Sequence, residues 1–205
     1  MDSVADRNTL SEADIRKVAF ASAIGCTIEW YDFFLYNTFA ALIFNKLFFP
    51  SFDPLIGTML AYTTALVGFI ARPIAGVFFG HFGDRIGRKK MLILTLLIMG
   101  IGTFLIGLLP TYQSIGVWAP LLLLALRVVQ GFGIGGEWGG AVLMAVEHSP
   151  KGRRGFYGSW PQMGVPAGLA LATGMVALLT ALPGNMFLDG GWRFGFLTSV
   201  ILVAI

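Results

Sequence analysis

Charged residues and cysteines are scarce in this chain. Only 12% of its 205 residues are charged and 56% are hydrophobic, whereas a soluble domain carries about 25% charged residues. So little charge cannot cover a water-exposed globule, and we therefore expect membrane lipid around the chain. The single Cys26 excludes an internal disulfide. His81 and His148 are too far apart for a helical metal-ligand pair, so no metal or cofactor is expected.

Long apolar runs account for most of the sequence. Five are long enough to supply the roughly 20 residues that cross a bilayer, and a sixth begins near Arg193 and reaches the last residue, too short to span. The expected fold is an all-α membrane protein, with a tail over residues 1–17 and a transmembrane bundle over 18–205. The six predicted helices cover about 18–46, 55–80, 91–110, 116–146, 156–182 and 193–205.

Lysine and arginine lie mainly on one side of these helices. Ten fall in the amino-terminal tail and in the segments around 85–90 and 151–154, against two, Lys46 and Arg193, on the other side. The positive-inside rule then predicts a cytoplasmic amino terminus, in a multi-pass protein of the bacterial inner membrane. Because the basic residues sit in short segments between apolar runs, nucleic acid is not an expected partner.

Five charged residues lie inside the apolar runs. Each costs about 2.5–3.5 kcal/mol at the centre of an isolated membrane helix, so such residues are expected to face a wet cavity or one another. A purely structural role, as buried ion pairs between helices, is the alternative to a functional one. The five are Glu29, Asp32, Arg72, Arg127 and Glu137.

Helical periodicity gathers polar residues onto one face of the first helix and one face of the fourth. These two helices correspond in a bundle of two inverted three-helix repeats, where a transport site is expected near the midplane. No nucleophile–base pair accompanies them, so an intramembrane enzyme is not expected. The polar residues are Glu29, Asp32 and Tyr36 on the first helix, and Arg127, Gln130 and Glu137 on the fourth.

Glycines recur at four-residue spacing on three of the predicted helices. This spacing allows the backbones of neighbouring helices to approach closely, and we interpret these glycines as packing positions. They are Gly76 and Gly80, then Gly131, Gly135 and Gly139, and finally Gly164 and Gly168.

Three sequence motifs resemble those of the major facilitator superfamily. Residues 80–90, GHFGDRIGRKK, match G-x-x-x-D-R-x-G-R-K-K, which that superfamily carries between its second and third helices. Residues 127–133, RVVQGFG, are similar to its fourth-helix R-x-x-Q-G-x-G, and residues 147–155 to the E-x-x-P-x-x-x-R-G that follows. The resemblance implies the amino-terminal six-helix half of a secondary transporter, with its sixth helix truncated and its carboxy-terminal half missing from this chain.

Further segments resemble the metabolite:proton symporters, which carry organic acids or betaines. These are residues 29–36, EWYDFFLY, together with Arg72-Pro73, residues 136–140 and residues 191–193. Cys26 departs from the asparagine expected there, which leaves the substrate open. The resemblance implies proton-coupled uptake of a small molecule by alternating access. A passive uniporter and a non-transporting receptor of the same fold remain alternatives.

The resemblance and the charge pattern together suggest roles. Glu29, Asp32 and Glu137 are candidate proton carriers, and Arg127 is the candidate ligand of a substrate carboxylate. A betaine could place its cation on the aromatic faces of Trp30 or Tyr31. A cytoplasmic gate of complementary charges is also predicted, a solvated basic loop that only sets topology being the alternative. The gate residues are Gly80, Asp84, Arg85, Gly87, Arg88, Glu147 and Arg154.

Overall fold

The computed structural model describes residues 12–135, 146, 149 and 152–199. Every regular element in this part of the chain is a helix, as an all-α fold requires. Two short π-helical segments, Ala40–Phe44 and Phe187–Gly191, interrupt the α-helices. The α-helices are α1 Glu12–Phe39, α2 Asn45–Phe48, α3 Pro54–Ile86, α4 Arg88–Leu108, α5 Tyr112–Ile115, α6 Trp118–Gly135, α7 Arg154–Gly158, α8 Trp160–Thr180 and α9 Trp192–Leu197.

Several helix bounds differ from the predicted ones, most clearly at the start of the first helix and around residue 80. Helix α1 begins at Glu12, inside the predicted tail. Helix α3 continues six residues beyond residue 80, so much of the segment 80–90 is helical rather than a loop. Helix α3 ends before Gly87, whose φ of 108° would be strained for a residue with a side chain. The chain re-enters helix at once, because α4 begins at Arg88.

The described helices have the length and surface of membrane spans. Four stretches are apolar and long enough to cross a bilayer: Ile15–Phe48, Pro54–Ile86, Trp118–Gly135 and Arg154–Thr180. The apolar part of α4, Ile93–Leu108, is shorter. Large apolar side chains such as Val77 and Leu178 are more than 70% exposed on the outside of the bundle. Such a surface suits lipid and not water.

Glycines let two pairs of helices approach closely. A Cβ atom on Gly164 of α8 would lie 2.7 Å from the Cβ of Cys26 on α1. On Gly131 of α6, it would overlap the carbonyl oxygen of Gly68 on α3. These contacts place α1 against α8 and α3 against α6, at backbone distances that only glycine permits. Gly139, also predicted as a packing position, lies outside the described residues. In the described part of the chain, a Cβ built on Gly80 would meet no other helix within 4 Å.

An aromatic cluster closes the carboxyl-terminal end of α1 and the segment after it. Phe44 lies in the π segment, with ring centroids 5.2 Å from Phe48 and 5.9 Å from Trp192. Phe39 packs 5.5 Å from Phe196 of α9. All five rings are fully buried. This aromatic cluster fastens α1 to α9 at one end and leaves the middle of α1 to the polar residues.

Candidate functional site

Two carboxylates lie inside the apolar part of α1, and the first of them forms an ion pair. Glu29 and Asp32 are each 3% exposed. Glu29 accepts a charge contact at 3.5 Å from Nη1 of Arg72, which α3 contributes. The Arg72 guanidinium also lies 4.0 Å from the ring centroid of Phe69, one turn earlier on α3. Arg72 is therefore neutralised by Glu29 and covered by an aromatic face.

Asp32 is joined to Arg127 through one side chain of α4 and one of α6. Thr103 of α4 donates a hydrogen bond to Oδ2 of Asp32. Nε2 of Gln130 donates to Oγ1 of Thr103 at 2.5 Å, and Nη1 of Arg127 donates to Oε1 of Gln130 at 2.7 Å. We call these four residues the relay. It connects a buried cation on α6 to a buried carboxylate on α1 without a direct contact between them.

Tyr36 covers the cation end of the relay. The Arg127 guanidinium carbon lies 3.6 Å from the centroid of the Tyr36 ring. The Tyr36 hydroxyl hydrogen-bonds to the hydroxyl of Thr64 on α3, which itself donates to the Ala61 carbonyl at 2.6 Å. Both tyrosine and arginine are buried, so a cation–aromatic contact offsets part of the cost of placing Arg127 in the bundle.

Several buried polar atoms at this site have no hydrogen-bond partner among the described residues. A buried donor or acceptor left unpaired costs about 1–3 kcal/mol, so their concentration in one place calls for a reason. They include acceptors and donors, which a polar ligand or water could satisfy together. The atoms are Oε2 of Glu29, Oδ1 of Asp32, Nε of Arg72, Nε of Arg127 and the indole nitrogen of Trp30.

The structure brings six predicted site residues together between α1, α3 and α6. Glu137 lies outside the described residues. Thr103 and Thr64 were not anticipated, because a threonine in an apolar helix usually bonds its own backbone, as Thr103 also does with the Met99 carbonyl. The one available signal was weak: Thr95 and Thr103 fall on the same face of α4 as Met99. The six are Glu29, Asp32, Tyr36, Arg72, Arg127 and Gln130.

Tyr31 is not available to a substrate cation. Its ring belongs to the buried core, and its hydroxyl donates to the Gly195 carbonyl at 2.8 Å on α9. The aromatic face expected to receive a betaine is thus occupied by packing. Trp30 is only partly buried and packs 5.4 Å from Phe33.

The predicted gate stays a prediction. Gly87 ends α3, and the side chains of Asp84, Arg85 and Arg154 are exposed near the ends of their helices. The side chain of Arg88 and the whole of Glu147 lie outside the described part. Cysteine accessibility from the two faces of the membrane in an Asp84→Asn variant tests the gate, and equal accessibility in variant and parent would count against it.

Comparison with known proteins decides the family. A family model described as sugar (and other) transporter matches residues 18–205. The chain is 52% identical, over 97% of its length, to a shikimate transporter of Escherichia coli. The chain belongs to the major facilitator superfamily. It covers 45% of that relative's length, so the facilitator chain spans less than half of the curated transporter it matches.

Other matches agree with this assignment. The facilitator chain is 43% identical over 96% of its length to a proline/betaine transporter of E. coli, of which it covers 39%. The inward-open structure of the xylose transporter XylE from E. coli superposes with a TM-score of 0.77 at 19% identity, covering 93% of this chain and 46% of that one. A second XylE structure, bound to 6-bromo-6-deoxy-D-glucose, gives a TM-score of 0.81. At such low identity the xylose transporter establishes the fold alone.

Proposed function

We propose that this chain is the amino-terminal half of a proton-coupled symporter that takes up a small carboxylate-bearing metabolite by alternating access. The observation that carries the proposal is the meeting, inside the bundle, of two carboxylates and two arginines. Each of the four has one buried polar atom without a hydrogen-bond partner in the described part of the chain. Ionisable groups that lie inside membrane helices, near the bilayer midplane, are typical of proton and substrate pathways.

Asp32 is the better proton carrier of the two carboxylates. Glu29 is in contact with the permanently charged Arg72, and a buried ion pair gives up one partner only at a large electrostatic cost. Among the described residues, Asp32 is held by a neutral hydroxyl, that of Thr103. It can therefore take up a proton without breaking an ion pair. Glu137, the third predicted carrier, keeps its place as a proposal.

Arg127 is the proposed ligand of the substrate carboxylate. Nη1 is bonded to Gln130, while Nε has no partner among the described residues. A guanidinium can bind a carboxylate through two parallel hydrogen bonds, which lysine cannot reproduce. Two of the relatives are named as transporters of shikimate and of proline and betaine. Each of these three molecules carries a carboxylate. This shared group favours a carboxylate over a neutral sugar.

Uptake by the full-length transporter in proteoliposomes tests the proposal. We expect accumulation of labelled shikimate or betaine when the outside is acidified, competition by carboxylates, and no competition by xylose. Arg127→Lys should weaken apparent affinity at least about tenfold through loss of the bidentate pair. Arg16→Lys, at an exposed position near the start of α1, serves as the matched control.

Three other results would each contradict part of the proposal. Uptake that ignores the pH gradient would indicate a passive uniporter. Saturable binding without flux would indicate a receptor. Competition by xylose together with a harmless Arg127→Lys substitution would make Arg127 structural and remove the carboxylate assignment.

We further propose that the protein lies in the bacterial inner membrane with its amino terminus in the cytoplasm, and that this chain alone does not transport. Alternating access in this fold rocks one half against the other around a central site, and the chain supplies one half. Accessibility of an amino-terminal tag from each face of the membrane tests the orientation. Saturable uptake by vesicles that contain this chain alone would contradict the need for a second half.

A further inference from the structure

Thr103 occupies the junction of the relay. It is fully buried on α4, between Asp32 of α1 and Gln130 of α6. Its hydroxyl lies within hydrogen-bond distance of two acceptors, Oδ2 of Asp32 and the Met99 carbonyl, the latter at 3.0 Å. It also accepts a hydrogen bond from Nε2 of Gln130 at 2.5 Å.

A hydroxyl has one hydrogen to donate and two lone pairs to accept with. Thr103 can therefore satisfy only one of its two acceptors at a time. When Asp32 is ionised, the charge-assisted bond to the carboxylate is the stronger choice. When Asp32 carries a proton, its own O–H donates to Oγ1 of Thr103, and the Thr103 hydrogen turns to the Met99 carbonyl. No proton crosses Thr103 in this exchange; one hydrogen bond reverses its direction.

The reversal changes the whole relay. With Asp32 ionised, every bond donates in the same direction, from Arg127 through Gln130 and Thr103 to the carboxylate. Hydrogen bonds aligned in this way polarise and strengthen one another. With Asp32 protonated, the alignment ends at Thr103. The bond from Arg127 to Gln130 then loses that support, and the guanidinium is more easily taken by an arriving carboxylate.

We propose that Thr103 is a positioning residue that transmits the protonation state of Asp32 to Arg127 through Gln130. This rests on the proposed function, in which Asp32 carries the proton and Arg127 binds the substrate. In this proposal, a neutral side chain couples the proton to the substrate. Its hydroxyl donates a hydrogen bond to Asp32 when Asp32 is ionised and accepts one when Asp32 is protonated.

The other ionisable groups near Asp32 do not provide this connection in the described part of the chain. Glu29, on the same helix, is paired with Arg72 of α3. The phenols of Tyr31 and Tyr36 bond to α9 and α3 respectively. Arg193 of α9 bonds to the Gly107 carbonyl at 2.9 Å. Neither the Ile93–Leu108 stretch of α4 nor helix α8 contains an ionisable residue, so the hydroxyl of Thr103 is the described link between Asp32 and α6.

Two variants of the full-length transporter in proteoliposomes test the proposal. The probe is shikimate, or betaine if the uptake competition described above shows that betaine is the better substrate. Thr103→Val keeps the shape and removes the hydroxyl, and Thr103→Ser keeps the hydroxyl. Two assays are compared, accumulation driven by a pH gradient and substrate exchange at equal pH. Thr95→Val, two turns earlier on the same buried face of α4, is the matched control.

We expect Thr103→Val to lower accumulation at least about tenfold, as the loss of a hydrogen bond to a charged group implies. Exchange should stay within about threefold of the parent, because coupling and not binding is lost. Thr103→Ser and Thr95→Val should retain both activities. If Thr103→Val does not insert, Thr103→Ala provides the same comparison.

Two results would overturn the role of Thr103 alone, given a parent driven by the proton gradient. One is undiminished accumulation by Thr103→Val. The other is an equal loss of accumulation and of exchange in both Thr103→Val and Thr103→Ser, which would indicate that Thr103 matters for helix packing. A parent whose accumulation ignores the pH gradient would instead overturn the proposed function, and the role of Thr103 with it.

Discussion

The middle of α1 and the segment that follows its carboxyl-terminal end are equally buried but are held by different interactions. At the middle, Glu29 and Asp32 meet polar and charged partners from α3 and α4. After the helix end, Phe44 and Phe48 pack in an apolar core and against other rings, including Trp192 of α9. Burial alone therefore does not distinguish the part of this helix that we propose takes part in transport.

The difference lies in what each region leaves unsatisfied. The aromatic cluster consists of edge-to-face and stacked ring contacts. These rings contain no hydrogen-bonding atom that needs a further partner, apart from the indole nitrogen of Trp192. The polar middle keeps free hydrogen-bonding atoms on Glu29 and Asp32 among the described residues. A site that must bind and release a proton or a substrate needs such capacity. A packed anchor does not.

The largest expected effect separates these regions by function. In the full-length transporter, Asp32→Asn should reduce proton-driven accumulation by about a hundredfold or more, since a neutral amide cannot cycle a proton. Exchange should persist, because Asn resembles protonated Asp in shape. The measurement is uptake with and without a pH gradient. Thermal unfolding in detergent should be close to that of the parent.

Asp53→Asn is the matched control for that experiment. Asp53 is an exposed carboxylate that caps α3 by accepting a bond from the Leu55 amide, and asparagine caps equally well. Its transport should be unchanged. Normal accumulation by both Asp32→Asn and Glu29→Gln would move proton coupling away from α1, with Glu137 next to be tested.

A smaller effect, on stability and not on proton coupling, is expected in the aromatic cluster. Phe44→Ala should lower the free energy of unfolding by about 3 kcal/mol, because a cavity replaces the buried ring. The coupling ratio of protons to substrate should stay normal in the protein that remains folded. Thermal unfolding in detergent and the pH dependence of uptake are the two measurements.

Phe20→Ala on α1, the helix that precedes the π segment of Phe44, provides the comparison. Phe20 is 59% exposed, so its removal leaves no cavity and should change stability little. A Phe44→Ala variant with full stability, or one that is stable but uncoupled, would mean that the aromatic cluster is not merely an anchor.

The smallest effect is expected at Tyr31, which belongs to the middle of α1 but packs in the apolar core. Tyr31→Phe removes the bond to the Gly195 carbonyl and should cost about 1 kcal/mol of stability, with transport retained. Tyr62→Phe, on the exposed side of α3, should cost less. Loss of transport by Tyr31→Phe at normal stability would show that the tyrosine touches the substrate after all.

Parts of the fold and of the site could be predicted from local pattern. Apolar runs and their lengths indicate membrane helices, and a period of 3.6 residues places Glu29, Asp32 and Tyr36 on one face. Helix ends were less predictable. Nothing between residues 80 and 86 stops α3, whereas Gly87 can adopt the positive φ that ends it, and this distinction depends on backbone conformation.

The sequence by itself determined that ionisable groups lie inside apolar helices and which face of its own helix each one occupies, because both follow from hydropathy and from a fixed rotation per residue. Only the tertiary structure decided which groups meet. Glu29 pairs with Arg72 and not Arg127. Thr103 stands between Asp32, 71 residues earlier in the sequence, and Gln130, 27 residues later. Such partners are set by how closely glycines such as Gly131 and Gly164 allow the helices to approach, and that distance exists only in the packed bundle.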